Sequence, residues 1–294
     1  MRAAPFHRAN YRQCPPARSV GLGGSMSLET LKVAAVQLSS TTDFVGNLER
    51  AHRAIEKAAQ TGAQLVATPE CTPFLGPEAQ ILAHAQSLDG PVAQGFAELA
   101  AKHEIYLLIG SLPESCDEMH SYNTSVLYGP SGDRLAFYRK IHLFNVETPN
   151  GEVLREGDHI APGEETVVTQ IGPWTVGFSI CYDVRFPELY RSLSAKGANL
   201  LFVPAAFTAE TGRDHWDTLL KARAVENLSY VVAPNQFGTH FGRRRSYGRS
   251  VIYDPWGTAL AQCPDDREVI TATLELKSLE ARRKMFPCLE HRRL

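Results

Sequence analysis

Apolar positions along the chain follow two periods in turn. Leu31–Leu38 (LKVAAVQL) is an apolar run of strand length. Asn47–Gln60 then sets Leu48, Ala51, Ile55, Ala58 and Ala59 at helical spacing with charges between them, and Gly62 predicts the helix end. Gln64–Thr68 is a second apolar strand, stopped by Pro69. Strand, helix and strand in about 40 residues predict a βαβ unit.

The alternation continues. Phe96–His103 reads as a helix and Ile105–Ser111 as a strand. Tyr122–Tyr128 and Arg134–Tyr138 read as strands around the turn signal Gly129-Pro-Ser-Gly-Asp133. Trp174–Ile180 is an apolar strand, Phe186–Lys196 a helix closed by Gly197, and Leu200–Val203 a strand stopped by Pro204. His215–Leu228 carries Trp216, Leu219, Leu220 and Ala224 on one helical side, before the strand Tyr230–Ala233. Ser250–Tyr253 and Ala259–Gln262 flank a second hairpin turn, Asp254-Pro-Trp-Gly257. Glu268–Leu274 is the last strand and Leu276–Lys284 the last helix. No linker-like stretch interrupts this pattern after residue 30. It predicts one α/β domain with a mixed sheet or two sheets under helices, whose halves, 31–112 and 174–235, share a plan.

The first residues do not share the pattern. Residues 1–28 are read as a disordered extension, rich in Arg, Pro and Gly, and residues 29–294 as the folded domain. The extension is either a mis-called start, with translation beginning at Met26, or a transit-like segment. It also distorts the charge balance. The whole chain has 30 basic and 32 acidic residues; without Arg2, Arg8, Arg12 and Arg18 the body has 26 against 32, or −6. An acidic body argues against a general nucleic-acid binder. Arg243-Arg244-Arg245 reads as a solvated loop.

The longest apolar runs, Ile105–Leu112 and Ala198–Phe207, are strand-sized, so no membrane helix is expected. The six cysteines lie at least 25 positions apart, without zinc-type spacing. They are read as reduced thiols of a cytoplasmic protein.

In buried α/β sheets ligands gather beyond the carboxyl ends of strands. There the chain places Pro69-Glu70, Arg139-Lys140-Ile141-His142, Cys181-Tyr182-Asp183 and Pro204-Ala205-Ala206-Phe207. A carboxylate, a cation and a thiol on one rim are what thiol acyl chemistry requires: a nucleophile, a base and an oxyanion partner. The residue types alone leave plainer readings open. Cys181 can be a core thiol, Glu70 a cap or surface acid, Lys140 a solvated lysine, and His215 a packing or cap residue. Other enzyme templates fail. Gly177-Phe-Ser179-Ile-Cys181 lacks the second glycine of a nucleophile elbow. There is no phosphate loop and no H-E-x-x-H, and Gly21-Leu-Gly23-Gly24 precedes the first strand.

Thr68-Pro-Glu70, Tyr138-Arg-Lys-Ile-His-Leu143 and Gly177-Phe-Ser-Ile-Cys-Tyr-Asp-Val-Arg-Phe-Pro-Glu-Leu189 together resemble the three signature segments of the nitrilase superfamily of carbon–nitrogen hydrolases. The resemblance covers roughly residues 31–293. It implies a nitrilase-like four-layer αββα sandwich in a single domain. It also implies a catalytic set of Glu70 (base, then acid), Lys140 (oxyanion partner) and Cys181 (nucleophile). Glu156, in Arg155-Glu-Gly157, matches the second glutamate of many members. The Tyr182 N–H would be a second oxyanion donor. No metal or organic cofactor is implied, and subunits of the family usually pair, which implies a homodimer or higher homo-oligomer.

Tyr182-Asp183 after the cysteine, rather than Trp-Glu, points to amidases. His215-Trp216, Ser246-Tyr-Gly248, Asp254-Pro-Trp-Gly257 and Glu290-His-Arg-Arg293 look like the branch that acts on deaminated glutathione. The implied reaction converts a small carboxamide to carboxylate and ammonia through a thioester. The alternatives are an ω-amidase acting on α-ketoglutaramate or α-ketosuccinamate, an N-carbamoyl hydrolase, or a silent binding protein of the same fold. Arg185, four residues beyond Cys181, is a candidate clamp for a substrate carboxylate, with a structural ion pair to Glu188 or another acid as the alternative. Phe144, Phe207 and Thr211 are candidate pocket residues, with packing as the alternative.

Overall fold

Residues 28–147, 153–264 and 268–293 of the 294-residue chain are described by the computed structural model. The expected extension falls outside them, apart from Leu28. That residue packs on the core, and its carbonyl accepts a hydrogen bond from Trp174 Nε1 at 2.8 Å.

The first half of the chain runs β1 (Thr30–Val36), α1 (Phe44–Gln60), β2 (Leu65–Ala67), α2 (Glu78–Ile81), α3 (Pro91–His103), β3 (Tyr106–Ser115), β4 (Ser121–Tyr128) and β5 (Arg134–Arg139). A short ribbon follows, β6 (Asn145–Glu147) with β7 (Val153–Arg155). The second half runs β8 (Val168–Ile171), β9 (Trp174–Phe178), α4 (Pro187–Ala195), β10 (Leu200–Phe202), α5 (Ala209–Asn227) and β11 (Tyr230–Ala233). A hairpin of β12 (Phe237–Phe241) and β13 (Arg244–Tyr247) precedes β14 (Val251–Tyr253), β15 (Ala259–Gln262), β16 (Val269–Glu275) and α6 (Leu276–Met285).

Two six-stranded sheets result, ordered β16-β1-β2-β3-β4-β5 and β15-β14-β11-β10-β9-β8. Each has three parallel strands at its centre, β1-β2-β3 or β9-β10-β11, with antiparallel strands on both flanks. The halves therefore share a plan. The difference is at one edge: β8 immediately precedes the second set, whereas the first set is closed by β16 from the end of the chain.

Strand parity sorts the apolar side chains into three cores. On β1, Leu31, Val33 and Ala35 face the second sheet, meeting Val176, Phe178, Leu200 and Val232. Ala34 and Val36 face the other way, onto Ala51, Ile55 and Ala58 of α1 and Phe96 of α3. On the far side, Leu201 and Val231 meet Leu193 of α4 and Trp216, Leu220 and Ala224 of α5. Helix, sheet, sheet and helix are the four layers.

The helix expected from His215 begins earlier, at Ala209. Its added turn is polar, and Gly212 within it lies so close to the hairpin that a β-carbon there would stand 2.4 Å from Tyr247 Cβ. A breaker residue thus serves helix–hairpin contact inside the helix. His215 is neither a cap nor a packing residue: it is exposed in the helix body.

Candidate active site

Three strand ends of the two sheets open into one cleft. The first is the turn after β2, where Pro69 cannot donate to the ladder. Thr68 Oγ1 accepts from the Gly110 N–H at 3.0 Å, and Thr72 Oγ1 donates to the Pro69 carbonyl at 2.7 Å. A β-carbon on Gly110 would come within 2.1 Å of the Thr68 carbonyl oxygen, so only glycine lets β3 pass this closely. Gln236 Nε2 donates to the Glu70 carbonyl at 2.9 Å, pinning the turn from the other half of the chain.

The Glu70 side chain is 4% exposed. Its Oε1 accepts from Lys140 Nζ at 2.9 Å and Asn123 Nδ2 at 3.0 Å, and its Oε2 from the Ala206 N–H at 2.8 Å. The Cys181 thiol lines the same cleft, near enough to this carboxylate for the two to act on each other's protonation. Lys140 leaves β5 with its backbone clamped on both sides, by the Asn123 carbonyl and the Gly163 N–H. Its Nζ, 2% exposed, stands 2.9 Å from Glu70 Oε1 and from both oxygens of Glu156. A hydrogen shared between the two Glu156 oxygens leaves the third ammonium hydrogen for a substrate oxygen. Glu156 is held by the Phe144 N–H at 2.6 Å and by Asn123 Nδ2 at 3.2 Å.

Cys181 follows β9 with φ +47°, in the left-handed region that non-glycine residues rarely enter. Its N–H donates to the Pro204 carbonyl at 2.9 Å, and residues Cys181–Arg185 form a tight helical turn. The Tyr182 N–H is among the first donors of that turn, the ones a helix leaves without an internal acceptor. Asp183, wholly buried, ties this turn to the lysine segment. Its Oδ2 accepts from the Ile180 N–H (2.8 Å) and Tyr138 Oη (2.7 Å), and its Oδ1 from the His142 N–H (3.1 Å), with His142 Nδ1 at 2.7 Å.

The charges are arranged around a neutral thiol. Burial works against a charged Glu70, but the Lys140 ammonium outweighs it and holds the carboxyl below its usual range. Burial also works against Lys140, and the Glu156 and Glu70 carboxylates outweigh it, raising the ammonium well above the ordinary lysine value. Burial and the adjacent Glu70 carboxylate push the Cys181 thiol well up. The resting set is therefore thiol, carboxylate and ammonium.

All nine residues singled out in the sequence line this one cleft: Glu70, Lys140, Cys181, Glu156, Tyr182, Arg185, Phe144, Phe207 and Thr211. Arg185 forms no ion pair with Glu188 among the described residues. Its guanidinium instead lies 3.3 Å from His215 Nδ1 and over the rings of Phe207 and Tyr182, at 5.3 and 5.9 Å. Phe144 meets Tyr182 edge to face at 4.9 Å. Phe207 both edges the cleft and packs on Trp216, 5.1 Å away.

Three further lining residues, outside those nine, bear on the site. Asn123 bridges Glu70 and Glu156; its only signal is a polar run, Asn123-Thr124-Ser125, inside an otherwise apolar strand. Cys71 follows Glu70 at φ +58°. Arg244 corrects the solvated-loop reading of the basic cluster. Arg243 is in a turn, but Arg244 and Arg245 are in β13, where alternation turns Arg245 outward and Arg244 into the cleft.

The chain matches the carbon–nitrogen hydrolase family over residues 32–284. It is 41% identical over 263 residues to the deaminated glutathione amidase of Synechocystis sp. (strain PCC 6803 / GT-S), covering 88% of this chain and 97% of that protein. In three dimensions it resembles the NitFhit protein of Caenorhabditis elegans, with a TM-score of 0.83 and 37% identity, covering 90% of this chain and 65% of that one. It also resembles Saccharomyces cerevisiae Nit3, a member of branch 10 of the nitrilase superfamily, with a TM-score of 0.81 and 32% identity over 90% of this chain and 97% of that one.

Proposed function

The chain belongs to the carbon–nitrogen hydrolase family, and from that membership we propose that it is an amidase that cleaves deaminated glutathione through a Cys181 thioester. The observation that carries the mechanism is one buried carboxylate, Glu70, that receives the Lys140 ammonium at 2.9 Å and shares its cleft with the Cys181 thiol. Likeness to the Synechocystis amidase supports the substrate.

Cys181 Sγ attacks the amide carbon as its proton passes to Glu70. The carbonyl oxygen becomes an oxyanion facing Lys140 Nζ and the Tyr182 N–H. Glu70 gives its proton to the amide nitrogen as the C–N bond breaks, leaving a thioester. Water then yields a proton to Glu70 and adds to the thioester carbon. The C–S bond breaks, Cys181 takes the proton back, and a carboxylic acid departs. Glu156 and Asn123 hold Lys140 and Glu70 in place, and Arg185 takes the substrate's α-keto carboxylate. The leaving group differs from the ammonia expected above. Deamination of glutathione removes its free amine but leaves the γ-amide nitrogen attached to the rest of the peptide, so cleavage there releases an amine. Ammonia is the product only with primary amides.

The test is a panel of deaminated glutathione, α-ketoglutaramate, N-carbamoyl acids and simple aliphatic amides, read for released amine, ammonia and CO₂. Amine from deaminated glutathione at the highest kcat/KM is expected. Release of CO₂ with ammonia would reassign the chain to carbamoyl substrates, and no turnover with any of them would overturn the amidase reading.

The protonation pattern gives a pH dependence. Glu70 is depressed, so loss of the base on acidification lies below the usual carboxylate range. Lys140 and Cys181 are raised, so losing either proton requires strongly alkaline conditions. We expect kcat/KM to be flat from about pH 6 to about pH 8.5. A bell with both limbs inside that window, in a pH series on a stable amide, would contradict the thiol–carboxylate–ammonium resting state.

A cytoplasmic homodimer acting on small amides, with no nucleic acid or membrane partner, completes the proposal. No helix among the described residues is long and apolar enough to cross a membrane. Trp256 and Phe286, 47% and 54% exposed, sit edge to face at 5.9 Å and offer an apolar surface for pairing. Light scattering at micromolar concentration should give at least twice the chain mass.

A further inference from the structure

Two guanidinium groups line the cleft, and neither has a carboxylate partner among the described residues. The cleft's own acids are already engaged: Glu70 and Glu156 both receive Lys140. Arg185 has a ring nitrogen and two aromatic faces as neighbours. Arg244 donates from Nη2 to the Ala206 carbonyl at 3.2 Å, while its Nη1 is buried with no hydrogen-bond partner. A buried guanidinium nitrogen with no acceptor, on a side chain with no acid beside it, is uncommon, because a buried donor left unmatched is costly.

The surrounding structure holds Arg244 in place. β13 is fixed to the Ala206–Phe207 segment by the Tyr247 N–H on the Phe207 carbonyl (2.9 Å), and α5 meets it at Gly212. The same segment carries the Ala206 N–H that holds Glu70 Oε2. Arg244 is thus anchored one residue's breadth from the reacting carboxylate. Arg243 and Arg245, its sequence neighbours, are exposed.

We propose that Arg244 binds a second carboxylate of the substrate, the one in the amine half of the scissile amide, while Arg185 binds the carboxylate of the acyl half. The preferred substrate class is then an amide with an anionic group on each side of the cleaved bond. This rests on the amidase reading and adds to it a residue and a charge requirement. A planar fork of donors suits a carboxylate bidentately, and each cation then receives the acid that the protein does not supply.

Binding tests this apart from turnover. Full-length Cys181→Ala protein is titrated calorimetrically with deaminated glutathione and with its analogue whose glycine carboxylate is capped as a carboxamide. The capped ligand is expected to bind at least about tenfold more weakly, the scale of one charge-assisted pair. Adding Arg244→Met should abolish the difference between the two ligands, Arg244→Lys should restore part of it, and Arg185→Met should leave it in place while weakening both. Equal binding of the two ligands, a difference that survives Arg244→Met, one lost through Arg185→Met instead, or no binding of either would overturn the assignment. A purely structural Arg244 would weaken both ligands alike and lower the melting temperature. Failure of the amidase reading is seen separately, as absence of turnover by the unmodified enzyme.

Discussion

Replacing Cys181 with alanine is expected to lower kcat/KM by about 10⁴-fold or more, the scale seen when a covalent nucleophile is removed from a preorganised site. Water would then have to attack the amide directly, with Glu70 as base but with no thioester route. The fold should survive. The side chain is small and half-buried, alanine keeps the β-carbon, and the turn's anchors at Pro204 and Asp183 are made by other atoms. Amide-release kinetics and thermal melting, measured on the same preparation, check both parts. Activity within tenfold of the parent, with an unchanged melting curve, would remove Cys181 from the reaction.

Lys140→Met is expected to combine two losses. The first is an oxyanion partner, worth about 10²–10³ in rate. The second acts through Glu70. Once the ammonium is gone, burial and the Glu156 carboxylate both push Glu70 upward, and only Asn123, the Cys181 thiol and the Ala206 N–H oppose them. A protonated Glu70 cannot accept the thiol proton, so residual activity should rise with pH where that of the parent is flat. Stability should fall by about 3–5 kcal/mol, as when one partner of a buried ion pair is removed. That loss should be largest above the raised pKa, where two unpaired carboxylates would share the pocket, and should diminish on acidification as one takes a proton. A pH series of kcat/KM with denaturant melts reads both effects. A rate loss under tenfold would contradict the role given to Lys140.

The parts of the molecule that were legible in the sequence are those where periodicity or punctuation has a single cause. β1 could be read because burial on both faces makes it a continuous apolar run, α1 because it buries one face, and the turn at Pro69 because proline cannot continue a ladder. Glu70, Lys140 and Cys181 drew attention because each stands just past a strand, where an α/β sheet opens, and the resemblance of their three segments to the family's signatures made them a catalytic set. Asn123 could not be found this way. It lies within β4, and only the approach of Glu70 and Glu156 from distant segments gives its amide a function. Arg244 was hidden by its neighbours: three consecutive arginines look solvated until a short strand turns the middle one inward. The early start of α5 was obscured by Gly212, whose packing against Tyr247 is visible only in three dimensions. The ribbons β6–β7 and β12–β13 are too short and polar to carry a hydrophobic period.

The left-handed backbone at Cys181 narrows which nucleophile this scaffold can ever adopt. Three side chains commonly attack carbonyl carbon from such a position: the thiol of cysteine and the hydroxyls of serine and threonine. At φ +47° the branched β-carbon of threonine would crowd its own backbone, so threonine is disfavoured before chemistry is considered. Serine fits the backbone but would have to surrender a far less acidic proton to a carboxylate that Lys140 has made a weaker base. Geometry removes one candidate and electrostatics handicaps the other. An ancestral or laboratory lineage diversifying this site would therefore keep its sulfur and vary the walls around it.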